Sequence, residues 1–479
     1  MKGLAILSFA LLCFSSCESG STVADGGQLP GDILAAAASI TQSDYLDKIG
    51  KIAHDSMGGR NTPSEGLNKT ASWIAGEFDR LGLSPGGDDG SFMQYYPIET
   101  LRPDREASAA EIGGRSLEFG NDIVVASGVG QADIQGDIVV LAGLGDLSES
   151  VASSIEGKIV IAVSMPEGYR THRRAVSDLR RAGALTVLVS TNKNDQDWTA
   201  GSEVLAARNT MRIGSGGPGN NIAFEIRDEV LSGLLSEHGM DLNSLRNTSN
   251  VEALDTSGMQ ASLSPRSEMV KQDSAPNVVG ILEGSDPDLR NEYIAYSAHM
   301  DHVGIGNPDA NGDSIYNGAD DDASGTIGIV EIAEAFAGME VKPKRSSIFL
   351  LVSGEEKGLW GSAFFADNPP VPADQIVANL NADMIGRNWS DTVVVIGKEH
   401  SDLGVTLNQI AEVHPELGLA PIDDIWPEER FYFRSDHYNF ARKGIPILFF
   451  FSGVHEDYHQ PSDEVELIDT EKAARISKM

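Results

Sequence analysis

In the last part of the chain, two histidines and a series of carboxylates each follow an apolar segment. The histidines are His299 and His459, and acidic residues stand between them at 320–322, at 355–356 and at Asp383. Two imidazoles with several carboxylates and no cysteine form a hard ligand set of nitrogen and oxygen atoms. Such a set suits zinc, manganese or cobalt, and zinc is favoured where the chemistry is hydrolysis.

These positions offer more ligands than one ion takes. Zinc in proteins is usually bound by four ligands, whereas five positions suit two metals bridged by one carboxylate, about 3.5–4 Å apart. One member of the pair Glu355 and Glu356 is then free to act as general base on the attacking water. A metal-bound histidine usually donates its other ring N–H to a carboxylate. We therefore expect Asp301, two residues after His299, to accept that hydrogen bond.

The elements that must position these residues follow a pattern of strand, loop and helix. Because parallel strands bring their carboxyl ends to one edge of a sheet, residues that follow different strands can meet there. The pattern predicts an α/β fold with a mixed, mostly parallel central sheet flanked by helices. The predicted strands cover residues 291–298, 346–353, 376–382 and 445–451, and a predicted helix covers residues 326–337.

Changes in composition divide the chain into five segments. Residues 1–17 form a signal segment for export. Residues 18–40 are rich in Gly, Ser and Ala and are typical of a tether. Helical spacing of apolar residues then marks residues 41–111 as the first part of the main domain. Residues 112–265 carry short β-type runs, Gly turns and one helix over 173–182, without a candidate ligand cluster, and are interpreted as an insert. Residues 266–479 form the catalytic part.

The first residues are typical of export. Residues 4–14 form an apolar run of 11 residues, too short to span a bilayer, for which about 20 are needed. The Ser15-Ser16-Cys17 sequence that follows resembles a bacterial lipobox, in which Cys17 is acylated. The alternative is an ordinary signal peptide cut near residues 16–21. Either reading predicts an exported protein, anchored in the bacterial envelope as a lipoprotein or released to the periplasm or medium.

The charge balance excludes two classes of partner. With 36 basic and 71 acidic residues, the net charge is −35. Nucleic-acid binding needs clustered Lys and Arg, so we expect no nucleic-acid partner. The same charge argues against direct binding to an anionic membrane surface.

Five motifs together carry a resemblance to a known family. The chain resembles the clan MH zinc aminopeptidases, a family that holds bacterial secreted leucyl aminopeptidases and glutamate carboxypeptidases. The motifs lie at residues 297–302, 317–325, 353–359, 381–384 and 457–460. The resemblance covers roughly residues 275–465 and implies a zinc-dependent exopeptidase that acts on peptides. The insert resembles a β-rich protease-associated domain.

The resemblance also assigns roles to the candidate residues. It implies two Zn²⁺ ions bridged by Asp321, and it makes Glu355 the general base. It implies a cis peptide bond between Asp321 and Asp322 and a carbonyl-polarising role for Tyr458. The remaining implied ligands are His299 and Asp383 for one ion, and Glu356 and His459 for the other.

For some residues near the motifs, the sequence gives a general position but no defined role. His302 is expected near the site's rim or behind the ligands, because the ligand set is complete without it. Residues 434–437 stand where the family places a segment near the substrate. The aromatic residues 431–433 are expected either to line a pocket for an apolar side chain or to belong to the core.

Three functions stay open at this point. The first is a zinc aminopeptidase, which removes residues from the N-terminus of peptides. The second is a zinc carboxypeptidase or dipeptidase of the same clan. One subclass of these enzymes inserts a lid between its last two ligands, but the stretch from Asp383 to His459 must already hold two strands and a helix. The third is an inert, receptor-like relative, which intact ligand positions disfavour.

Overall fold

The computed structural model describes residues 31–143, 145–164, 169–214 and 222–479. The signal segment and Cys17 lie outside these described residues. The helices are α1 (Gly31–Ser39), α2 (Gln42–Ile52), α3 (Glu65–Arg80), α4 (Glu149–Ile155), α5 (Tyr169–Arg181), α6 (Asp195–Ala207), α7 (Asp228–Glu237), α8 (Leu242–Arg246), α9 (Gly325–Gly338), α10 (Trp360–Asp367), α11 (Leu403–Val413), α12 (His437–Ala441) and α13 (Thr470–Lys478).

The strands form one large sheet and a separate two-stranded hairpin. The hairpin consists of β12 and β13. The strands are β1 (Ser84–Pro85), β2 (Met93–Ile112), β3 (Arg115–Leu117), β4 (Ile123–Ser127), β5 (Ile134–Ala142), β6 (Ile159–Ala162), β7 (Thr186–Ser190), β8 (Thr210–Ile213), β9 (Ala223–Ile226), β10 (Glu252–Leu282), β11 (Tyr293–His299), β12 (Gly304–Ile305), β13 (Ile315–Tyr316), β14 (Ser346–Val352), β15 (Ile376–Ala382), β16 (Thr392–Ile396), β17 (Ala420–Ile422) and β18 (Ile447–Phe451).

The catalytic half of the sheet is mixed, with a parallel centre, as predicted. Its strand order is β17-β16-β18-β15-β11-β14-β10. Strand β11 runs parallel to both β14 and β15, and β15 runs parallel to β18. Every residue of β14 is buried, because helices cover both faces of the sheet. The predicted α/β class is therefore confirmed, with four of its strands ending at the same edge.

Helices α2 and α3 anchor the N-terminal segment to this sheet. Thr41 caps α2 by accepting a hydrogen bond from the N–H of Asp44, and Ser64 caps α3 in the same way. The buried face of α2 includes Tyr45 and Ile49, which belong to the same core as α9 and the sheet. This packing brings the loop between α2 and α3 to the carboxyl ends of the strands.

Part of the predicted tether is helical. Residues 31–39 form α1, although the composition of residues 18–40 suggested a flexible linker. The sequence of four alanines at 35–38 explains the difference, since alanine has the highest helix propensity. Among the described residues, none of the helices combines the length and apolar character that a bilayer crossing requires.

Residues 112–265 pack around hydrophobic cores of their own. Strands β5, β6, β7 and β9 form a parallel array in this segment. Helices α4–α8 accompany it, whereas the sequence predicted one helix and a β-rich module. The long strands β2 and β10 cross both predicted boundaries, so the segment continues the catalytic sheet without a flexible linker.

Candidate metal centre and substrate cleft

The sheet brings the sequence-predicted residues to one edge. His299 is the last residue of β11, Asp383 follows β15, and the loop after β18 carries His459. Glu355 and Glu356 lie in the turn that follows β14. Residues that are far apart along the chain therefore meet where these strands end.

Asp321 lies between two groups of side chains. Its Oδ1 lies 3.3 Å from Nε2 of His299, and that nitrogen lies 3.6 Å from Oδ1 of Asp383. Its Oδ2 lies 3.1 Å from Nε2 of His459, which is 3.2 Å from Oε1 of Glu356. One oxygen of Asp321 thus faces each group, an arrangement that a carboxylate bridging two cations requires.

The loop that carries Asp321 is held by backbone hydrogen bonds. The N–H groups of Asp320 and Asp321 donate to the carboxylate of Asp463, at 3.1 Å. The peptide bond between Asp321 and Asp322 is cis. Asp322 accepts hydrogen bonds from the N–H groups of His299 and Met384, so it ties the loop to the ends of β11 and β15. The carboxylate of Asp322 therefore stabilises the loop through these hydrogen bonds.

Asp301 contacts His299 in a different way from the one predicted. The nearest acceptor to Nδ1 of His299 is the main-chain carbonyl of Asp301, at 3.1 Å, while the carboxylate lies 3.8 Å away. That carboxylate instead accepts from the N–H of Glu355 at 3.2 Å and from Oγ1 of Thr62 at 2.8 Å. Asp301 therefore links the first histidine to the turn that carries the proposed base.

Arg60 and Thr62 are site residues that sequence reasoning missed. Arg60 is fully buried, and its guanidinium donates to the carbonyls of Met300 and Gly318, at 2.9 Å each. Thr62 also accepts a hydrogen bond from the N–H of Gly354 at 3.0 Å. Both residues belong to the loop between α2 and α3, more than 200 residues before the motifs, and no spacing in the sequence marks them.

The electrostatics of the cluster favour a bound cation. Although burial opposes the charged form, the neighbouring carboxylates raise the pKa of His299 well above its ordinary value. Burial and the charge of Asp321 oppose ionisation of Glu356, but the adjacent imidazoles lower its pKa to about 2. The carboxylates of Asp321 and Glu356, whose pKa values the neighbouring imidazoles lower despite burial, are thus held ionised in a buried space, and a divalent cation would neutralise them. The donor atoms present fit zinc, which binds imidazole and carboxylate ligands.

A cleft opens beside Asp321. Phe431 lines it, whereas Tyr432 and Phe433 lie outside its lining. Ser435 donates a hydrogen bond of 2.7 Å to Oδ2 of Asp383 and so fixes one candidate ligand. The cleft is lined by His299, Asp321, Glu355, Asp383, Met384, Phe431, Arg434, Phe449, Phe451, Val454 and Tyr458.

His302 was expected either behind the ligands or at the site's rim. Its side chain is fully buried, which rules out the rim position. Its Nδ1 lies 2.9 Å from Oε1 of Glu356 and 3.7 Å from Oδ2 of Asp321. His302 therefore belongs to the group around Glu356 and His459.

Known proteins that are similar to this chain include named peptidases. The family model described as "Peptidase family M28" matches residues 277–479. A "Probable leucine aminopeptidase" of Arthroderma benhamiae is 30% identical over 225 residues, which are 44% of this chain and 58% of the relative. A "Probable zinc metalloprotease" of Pyrenophora teres f. teres is 37% identical over 115 residues, covering 24% of this chain and 23% of the relative.

A solved structure matches the fold over most of the chain. It is an aminopeptidase from Aneurinibacillus sp. strain AM-1, with a TM-score of 0.51 and 18% identity, and the match covers 93% of each chain. The chain spans about 58% of the length of the first curated relative. The solved structure supports the fold, and the family model accounts for the part of the chain that carries the metal-ligand candidates.

Proposed function

We infer that this chain, whose residues 277–479 match the model of peptidase family M28, is a zinc-dependent exopeptidase and most directly an aminopeptidase. One observation carries the proposal: each oxygen of Asp321 faces its own pair of ligand candidates, while Glu355 lines the cleft beside them. The names of the relatives, a leucine aminopeptidase and a zinc metalloprotease, support the same activity.

The proposed centre holds two zinc ions. Asp321 would be shared, with His299 and Asp383 on one side and Glu356 and His459 on the other. When bound, zinc ions lower the pKa of water and polarise a carbonyl oxygen. Inductively coupled plasma mass spectrometry of the purified protein should give two zinc ions per chain. One ion per chain would contradict the shared role of Asp321.

Glu355 is the residue that moves the proton. It would accept a proton from the attacking water and then deliver it to the amine that leaves. Burial raises the pKa of its carboxyl group well above the ordinary value, so cations bound nearby are needed to keep it ionised as a base. Its backbone N–H, which donates to Asp301, fixes the turn on which it stands.

Tyr458 is proposed to assist by donating a hydrogen bond to the substrate's carbonyl oxygen. Its ring stacks on that of His459, with centroids 4.0 Å apart. Burial and the surrounding carboxylates raise the pKa of the phenol above its ordinary value, so the hydroxyl stays protonated and remains a donor.

Replacement of the base tests this mechanism. Glu355→Gln should lower kcat by roughly 10²–10⁴, the contribution of a positioned base, while both zinc ions stay bound. Aminoacyl nitroanilide hydrolysis and metal content should be measured on the same sample. Wild-type activity in the variant, or wholesale loss of zinc, would contradict the assignment.

One observation favours a second candidate activity. Arg434 lines the cleft, and its guanidinium lies 4.6 Å from the centroid of the Phe431 ring. A cation in that position could bind a substrate carboxylate, as a carboxypeptidase or dipeptidase requires. A panel of peptides with free or blocked termini separates the two candidates: an aminopeptidase needs the free amine, whereas a carboxypeptidase cleaves acetylated peptides. In the second case, Arg434→Met should reduce cleavage, while Arg442→Met serves as the control.

Export to the cell envelope is also part of the proposal. The sequence of residues 1–17 supports a signal segment in which Cys17 is acylated, with the following residues as a short tether. A bacterial lipoprotein would then fractionate with membranes, because stable anchoring takes more than one acyl chain. Cys17→Ala should release the protein or block its maturation. Wild-type protein found wholly in the soluble fraction, with an N-terminus beyond Cys17, would leave only a plain signal peptide.

A further inference from the structure

The imidazole of His302 is fully buried, in a place where its ring nitrogens need hydrogen-bond partners. Among the described residues, neither ring nitrogen makes a hydrogen bond of acceptable geometry. Oε1 of Glu356 lies only 2.9 Å from Nδ1 and likewise makes no such hydrogen bond within the described part of the chain. Burying unsatisfied polar atoms is costly, so such atoms usually signal a missing partner. A cation lying between these two atoms would satisfy both.

The position of the ring is fixed by its surroundings. The main-chain N–H of His302 donates to the carbonyl of Arg60 at 3.3 Å. On the other side lies Gly318, where a Cβ atom would come within 2.5 Å of Cγ and Cδ2 of the His302 ring. Any residue larger than glycine at 318 would therefore displace the imidazole. The chain leaves room for this ring and aims its Nδ1 at the acidic cluster.

The distances between the side chains around Glu356 are those expected of ligands around one ion. Donor atoms of His302, Asp321, Glu356 and His459 all lie within 4.8 Å of one another. Two ligands at about 2.1 Å from one zinc in a tetrahedron lie about 3.4 Å apart. The separations from His302 Nδ1 to Glu356 and Asp321 are 2.9 and 3.7 Å, which bracket that value.

We propose that His302 is a further ligand of the ion held by Glu356 and His459, in addition to the ligands that the resemblance assigns. The proposal rests on the proposed function, because it presumes that zinc binds at Asp321. The ion on this side would have four protein ligands: His302, Asp321, Glu356 and His459. The ion on the other side would have three, namely His299, Asp321 and Asp383. Four protein ligands complete a tetrahedron, so the open position for water or substrate falls on the His299 side.

X-ray absorption of the wild-type holoenzyme tests the proposal without any substitution. Fitting of the zinc edge should give three imidazoles shared over two ions. Two imidazoles shared over two bound ions would overturn only the role of His302 as a ligand and not the proposed function. A wild-type protein that binds no zinc at all would overturn both this role and the proposed function.

A zinc titration separates a ligand from a residue that merely orients Glu356. His302→Ala should weaken one of the two zinc sites by more than about 100-fold and leave the other unchanged, whereas loss of an orienting partner costs about 10–100-fold. His414→Ala is the matched control, since His414 is also buried but lies outside the metal centre. Circular dichroism should first establish that both variants fold. A change of less than about 100-fold in a folded His302→Ala protein would overturn the assignment, because an orienting residue accounts for a loss of that size.

Discussion

Thr62 joins the N-terminal segment to the metal centre, and removing its hydroxyl should destabilise the protein. The side chain is fully buried, and Oγ1 donates to Oδ2 of Asp301 at 2.8 Å while accepting from the N–H of Gly354 at 3.0 Å. Thr62→Val keeps the shape of the side chain and removes both hydrogen bonds. The substitution therefore isolates the polar contribution of one hydroxyl.

The magnitude follows from the loss of one hydrogen bond to a carboxylate and of the acceptor for one buried N–H. A hydrogen bond to a charged group contributes about 1.5–3 kcal/mol, and an unsatisfied buried donor costs about 1–3 kcal/mol. The free energy of unfolding should fall by about 2.5–6 kcal/mol. Activity should fall as well, because the carboxylate of Asp301 also accepts from the N–H of Glu355 and would no longer hold that turn in place.

Urea unfolding at a fixed zinc concentration measures this effect. Thr70→Val is the matched control: Thr70 is also buried, but its hydroxyl donates to the carbonyl of Gly66 within α3, one turn earlier. That carbonyl remains in the helical hydrogen-bond ladder after the substitution, so the control should lose less than about 1 kcal/mol. If Thr62→Val is no less stable than Thr70→Val, the hydroxyl does not hold Asp301 and the reasoning fails.

Three further predictions follow from the contacts. Asp301→Asn should lower kcat while changing zinc affinity by less than tenfold, because the carboxylate contacts the Glu355 turn and the carbonyl faces His299; a loss of about 10–100-fold in a zinc titration would show that the carboxylate orients the ligand instead. Lys48→Met should cost about 3–5 kcal/mol in urea unfolding, since Lys48 is buried and pairs with Glu331 at 2.6 Å; Lys69→Met, which breaks an exposed pair with Glu65, should cost less than about 1 kcal/mol, and equal losses would contradict the reasoning. Replacing residues 103–267 by Asn-Gly should leave zinc binding intact, because this segment holds none of the candidate ligands. Arg102 and Glu268 are opposite one another on β2 and β10, so a tight turn can join them. A folded deletion protein that binds no zinc would refute the separation of this segment from the metal centre.

The sequence predicted the parts of the site that lie at strand ends. The apolar run at 346–353 could be assigned to a buried strand, and parallel strands must bring residues such as His299 and Asp383 together. The burial of His302 could not be predicted, since it depends on the space left at Gly318. The role of Thr62 could not be predicted for a related reason. Its hydroxyl contacts a residue about 240 positions later in the chain, and neither its neighbours nor its spacing in the sequence indicates that contact.

The N-terminal helix and the insert show a second limit of sequence reasoning. Helix α1 was not predicted, because residues 18–40 were interpreted from their overall Gly, Ser and Ala content and not from the four successive alanines at 35–38. In residues 112–265, the short apolar strands stood out, whereas polar helices such as α6 did not, since they bury few residues. Local composition therefore identified the insert as a segment but underestimated its helical content.

Zinc reconstitution of the metal-free protein tests the central claim most directly. Protein dialysed against a chelator should not hydrolyse leucyl nitroanilide, and activity should return as zinc is added, reaching its plateau at two equivalents per chain. Hydrolysis that survives removal of the metal, or a fully loaded protein that cleaves no substrate with a free N-terminus, would contradict the assignment of a zinc aminopeptidase.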